Sequence, residues 1–77
     1  MAITRPEYIL AIDQGTTGTR AVIFNHNARR VTSTAIPMTS IVPHTGWLEQ
    51  RPLDIWRTAQ TAIADALINA GIRGDEI

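Results

Sequence analysis

Tyr8-Ile9-Leu10-Ala11-Ile12 is an unbroken apolar run that ends on Asp13. It is short for a helix and lacks the alternation of a strand with one wet face, so it reads as a strand buried on both sides. A central strand of that kind needs a packed layer above and below it. Thr19-Arg20-Ala21-Val22-Ile23-Phe24 reads as a second strand, with Arg20, Val22 and Phe24 on one face and Ala21 and Ile23 on the other. Asn25-His26-Asn27 is a polar break suited to a tight turn, because Asn tolerates left-handed backbone angles. From Arg30 to Thr39 runs a third, more polar stretch with β-branched Val31, Thr32, Thr34 and Ile36. Adjacent strands with such short connections predict an antiparallel β-meander.

Ile41 to Glu49 is a loop punctuated by Pro43 and Gly46, and beyond Pro52 the period changes. Trp56, Ile63, Leu67 and Ala70, widened by Ala59 and Ala66, form one helical stripe, opposite a polar line of Arg57, Thr61, Asp65 and Asn69. Pro52 suits a first helical turn, Asp54 complements the N-terminal dipole, and Gly71 supplies a C-terminal stop. Alanines at 59, 62 and 66 let such a helix approach a sheet closely. The expected class is α/β: a three-stranded meander followed by one helix. That helix covers one sheet face, and the second layer is expected from chain beyond Ile77 in preference to a partner, the other possible source.

Composition narrows the chemistry. At 77 residues a core is marginal, since a chain of about 60 buries only about 60% of its unfolded surface. Cysteine is absent, which removes disulfides, thiolate metal sites and cysteine nucleophiles, and His26 and His44 are too far apart in sequence to suggest a zinc centre. The seven basic and seven acidic residues cancel without clustering, so neither nucleic acid nor an anionic membrane is an expected partner. Every basic residue is arginine, which excludes a lysine-containing P-loop and a Schiff-base lysine within these residues. The first residues lack the charged and apolar segments of a signal peptide, and no apolar run approaches the ~20 residues that cross a bilayer. A cytoplasmic protein is expected.

The chemistry-bearing segment is Asp13-Gln14-Gly15-Thr16-Thr17-Gly18. A carboxylate delivered to a strand end can hold Mg²⁺, directly or through water, because that ion prefers hard oxygen ligands and keeps several waters. Gly15 would let backbone approach backbone, successive turn N–H groups can form an anion-binding nest, and threonine hydroxyls add donors. Arg20 could supply a charged fork to the same anion. A Gly/Thr turn between strands is, in most proteins, only a turn. Trp47 and Trp56 read first as packing anchors, Glu49 as a solvated or capping carboxylate, His44 as a loop residue, and Arg29-Arg30 as an exposed turn.

Tyr8-Ile9-Leu10-Ala11-Ile12-Asp13-Gln14-Gly15-Thr16-Thr17, followed by Arg20-Ala21-Val22-Ile23-Phe24, resembles the opening of the FGGY carbohydrate kinases, within the wider actin/hexokinase/Hsp70 fold. Gln14 is more particular to the glycerol-phosphorylating members. A second match follows in the family order: Gly46-Trp47-Leu48-Glu49, then Pro52-Leu53-Asp54-Ile55-Trp56. Departures exist. Gly18 and Thr19 stand where serines are common, Thr45 where proline is frequent, and Gln50 where histidine is frequent. The glycine removes one hydroxyl contact to nucleotide.

The resemblance implies that residues 1–77 are the first part of an N-terminal ribonuclease H-like (actin-like ATPase) domain. It implies an enzyme using ATP and Mg²⁺ to phosphorylate a polyol, glycerol first, and acting as a homo-oligomer when full length. Asp13 would help place the metal, and Thr16, Thr17, Gly18 and Arg20 would contact the nucleotide's phosphates. The catalytic base, the acceptor-gripping Arg-Glu pair and most adenine contacts would lie beyond Ile77, leaving this segment alone inactive. Two alternatives remain at this stage: a nucleotide-binding switch of the actin or Hsp70 kind, and a structural module whose hairpin binds nothing.

Overall fold

A computed structural model describes residues 6–38 and 51–77. Among these, β1 (Tyr8–Gln14), β2 (Gly18–Asn25) and β3 (Arg30–Pro37) precede α1 (Pro52–Ala70) and a short 3₁₀ turn at Gly74–Glu76. The strands form one antiparallel sheet in the order β1-β2-β3, which is the expected meander. The loop from Ile41 to Glu49, with His44, Trp47 and Glu49, lies outside the described residues, as does Thr39.

Tyr8 pairs with Asn25 and Gln14 with Thr19, so β1 and β2 form a continuous hairpin. The β2–β3 ladder slips between Ile23 and Phe24: Ile23 opposes Thr32 while Phe24 opposes Arg30, leaving Val31 as an extra residue. The turn between these strands differs from expectation. The left-handed residue is Ala28 (φ 61°), not an asparagine. Asn25 acts through its side chain instead, its Oδ1 accepting the backbone N–H of Asn27 at 2.9 Å and of Arg29 at 3.0 Å.

The helix lies across β2 and β3. Ala21 and Ile23 of β2 and Ala62 and Ala66 of α1 have no solvent exposure and form the core, flanked by Tyr8, Leu10, Ile36, Leu67, Ala70 and Ile72. Small side chains permit this approach, and the Thr34 hydroxyl donates to the Ala62 carbonyl at 2.8 Å. The buried row is therefore Thr58-Ala62-Ala66, rotated from the expected stripe. Ile63, Leu67, Ala59 and Ala70 flank it half-buried, Asp65 from the expected polar line is half-buried too, and Trp56 is 60% exposed. At 3.6 residues per turn Trp56 sits roughly 120° round the helix from Ala62, and the row with the smallest side chains takes the closest approach. The buried Thr58 hydroxyl is satisfied by donating to the Asp54 carbonyl one turn back.

Both helix ends follow the sequence. Pro52 opens the first turn and Asp54 lies within it. Gly71 adopts the left-handed conformation (φ 69°, ψ 30°), and the N–H of Ile72 reaches the Leu67 carbonyl at 3.2 Å. The chain then returns to the sheet, where the Glu7 N–H donates to the Glu76 carbonyl at 2.8 Å.

Among the described residues β2 is the middle strand of the sheet and β1 lies at its edge. Ile9 and Ile12 of β1 are 65% and 43% exposed. The sheet face turned from α1, carrying Ile9, Ala11, Val22 and Phe24, has no layer among the described residues.

Two substitutions test this packing by urea unfolding. Ala62→Leu forces extra methylenes into the closed helix–sheet contact and is expected to cost about 1–3 kcal/mol. Ala28→Gly removes the Cβ penalty of the left-handed residue and is expected to stabilise by about 1 kcal/mol.

Candidate functional site

The hairpin between β1 and β2 is closed by the Gly15 N–H donating to the Gly18 carbonyl at 2.9 Å. Its base is a cross-strand pair, Asp13 directly opposite Arg20. Both side chains are exposed, on the sheet face turned from the helix, and among the described residues neither joins an ion pair. Asp13, Gly15, Thr17, Gly18, Thr19 and Arg20, with Ala35, Ile36 and Pro37 of β3, line a depression of about 290 Å³. Four of the five sequence-predicted residues, Asp13, Thr17, Gly18 and Arg20, thus share one surface, while Thr16 is exposed outside its lining.

The loop is seated against β3. The Met38 N–H donates to the Thr17 carbonyl at 3.1 Å. Gly18 (φ 157°) passes so near β3 that a Cβ there would meet the Ile36 carbonyl oxygen at 2.3 Å and the Pro37 Cα at 3.0 Å. Gly15 is different: a Cβ would find only the Gly18 carbonyl, at an ordinary 3.9 Å. The close backbone approach expected of Gly15 belongs to Gly18, because that is where the hairpin meets the neighbouring strand.

A pair that sequence reasoning missed sits at the loop's entrance. Thr19 is 1% exposed, and its hydroxyl donates to Gln14 Oε1 at 2.5 Å. Gln14 Nε2 in turn donates to the Gly15 carbonyl at 3.2 Å. The signal was present in the strand alternation, which places Thr19 on the buried face with Ala21 and Ile23, where a hydroxyl requires a partner.

The chemistry open to this arrangement is polar and charged. Arg20 offers a planar fork suited to phosphate oxygens, and the exposed threonines offer hydroxyl donors. Asp13 supplies one carboxylate, and among the described residues no group of three His, Cys, Asp or Glu gathers to hold a metal. A lone carboxylate fits a cation that keeps most of its waters, as Mg²⁺ does, better than one needing an all-protein cage. A second depression of about 330 Å³, between Ile36-Pro37-Met38 and Asp54, Arg57, Thr58 and Thr61, contains none of the candidate residues. Among the described residues no helix is long and apolar enough to cross a membrane.

Residues 8–77, from the first residue of β1 onward, match the FGGY family of carbohydrate kinases, N-terminal domain. A glycerol kinase of Vibrio atlanticus (strain LGP32) is 47% identical over 75 residues, 97% of this chain and 15% of that protein. A glycerol kinase of Streptococcus sanguinis (strain SK36) is 41% identical over 75 residues, again 97% and 15%. One of Shewanella putrefaciens is 39% identical over 71 residues, 92% of this chain and 14% of that protein. The chain thus spans about 15% of the length of the curated relatives it matches.

The two glycines separate folding from ligand handling. Gly18→Ala is expected to cost about 2 kcal/mol or more, through clash with the β3 backbone. Gly15→Ala is expected to stay within about 0.5 kcal/mol of the parent, as surface changes do. Urea midpoints measure both.

Proposed function

This chain belongs to the FGGY family of carbohydrate kinases, and we propose that residues 1–77 form the N-terminal part of an ATP-dependent polyol kinase whose acceptor is glycerol. The observation that carries this reading is the hairpin itself. It places a carboxylate and a guanidinium opposite one another beside exposed threonines, at the mouth of one depression. Kinase relatives that match nearly the whole chain are named for glycerol, which supports that acceptor over other polyols. No observation favours the nucleotide-switch or purely structural alternatives.

In this role the segment does positioning and electrostatic work. Phosphoryl transfer depends on in-line geometry and neutralisation of charge more than on covalent chemistry. Arg20 would grip phosphate oxygens, the hydroxyls of Thr16 and Thr17 would donate to them, and the backbone of Gly18, seated against β3, would border them in the same depression. Asp13 would hold Mg²⁺ through its waters. When bound, the metal supplies charge neutralisation across the phosphates. A base to take the acceptor hydroxyl's proton must come from elsewhere in the enzyme. A ribonuclease H-like domain, a cytoplasmic setting and a homo-oligomeric whole enzyme belong to the same proposal.

The test is phosphorylation of glycerol by the full-length protein, with ATP and Mg²⁺ and other polyols run in parallel. Transfer to glycerol is expected, and failure with every polyol would sink the reading. Arg20→Ala and Asp13→Asn, both on exposed side chains, are expected to lower kcat/KM about a hundredfold, the scale for removing a preorganised charge-stabilising group, with unchanged circular dichroism. Asp13→Asn should also raise the Mg²⁺ concentration needed for half-maximal rate. The 77-residue polypeptide alone is expected to show no turnover.

A further inference from the structure

We infer that Gln14 and Thr19 are positioning residues for the phosphate-binding loop, acting as a clamp that sets the Gly15–Thr16 peptide; this rests on the kinase reading above. The clamp is directional. Thr19 is 1% exposed and packed on the helix-covered side of β2, so its hydroxyl has little freedom to choose partners. It donates to Gln14 Oε1 at 2.5 Å. The Gly15 carbonyl can only accept, so the amide end that meets it at 3.2 Å is the donor Nε2.

A peptide unit is planar, so holding the Gly15 carbonyl fixes the plane that begins Thr16. The far side of the loop is fixed independently, by the Thr17 carbonyl accepting from Met38 and by the approach of Gly18 to Ile36. Two anchored ends leave the short span between them little room to move. Preorganised donors are worth most when they need no rearrangement as charge develops, which is what such anchoring secures. Gln14 is itself exposed, so its amide could be satisfied by water if the clamp were absent. Its engagement with Thr19 both satisfies that buried hydroxyl and orders the loop, so stability alone does not report on the positioning role.

Three variants of the full-length protein separate positioning from general stability. Thr19→Val removes the hydroxyl and keeps the shape. Gln14→Glu keeps an acceptor for Thr19 but has no donor for the Gly15 carbonyl. Thr19→Ser restores the hydroxyl. The first two are expected to raise KM for ATP about fivefold, the scale of one lost hydrogen bond, with KM for the polyol unchanged, and Thr19→Ser is expected to restore the parent value. Unchanged KM for ATP in both Thr19→Val and Gln14→Glu, or an equal rise for both substrates, would overturn the inference. No turnover by the unsubstituted protein would count against the kinase reading itself and take this inference with it.

Discussion

The closeness of helix to sheet governs this segment. Ala62 and Ala66 press against Ala21 and Ile23 with no solvent exposure, and the Thr34 hydroxyl bonds the Ala62 carbonyl across the same contact. Larger side chains on either surface would hold the layers apart and break that bond. The consequence reaches beyond packing. The same β3 that packs under α1 receives the hairpin at its end, through Ile36 against Gly18 and Met38 against the Thr17 carbonyl, so the loop depends on β3 for its seat.

That dependence explains why the loop tolerates so little at one glycine and so much at another. At Gly18 a Cβ would strike the Ile36 carbonyl, backbone that cannot swing away as a flexible side chain can, so the hairpin rides closer to β3 than a side chain at that position would allow. Asp13 and Arg20, opposed across the ladder, attract one another only weakly in water. In the proposed role a metal and a phosphate each find an uncommitted partner there.

Much of the fold was legible because the relevant signals are local. Strand lengths, the helix bounds at Pro52 and Gly71, and the meander follow from short apolar runs, turn residues and caps. What was not legible depends on distances between elements. The helical stripe was read from apolar character at helical spacing, which included Trp56, whereas packing selected the small row Thr58-Ala62-Ala66. The turn was assigned to an asparagine by its tolerance of left-handed angles, whereas Asn25 served better as a side-chain acceptor and passed the strained angle to Ala28. The motif singled out Asp13, Thr17, Gly18 and Arg20, which line one depression, but the special need for glycine at 18 and not 15 required knowing where β3 lies.

The apolar strand β1 bears on the packing and on the candidate site alike. Its lack of alternation called for cover on both faces, and the described residues supply cover on one, leaving Ile9 exposed on the other. The chain spans about 15% of the length of the curated relatives it matches. Asp13 and Arg20 lie on that same face, at its loop end, so among the described residues the exposed apolar side chains and the charged pair share one surface. In the proposed role, a layer packed over Ile9, Val22 and Phe24 would also border the charged pair.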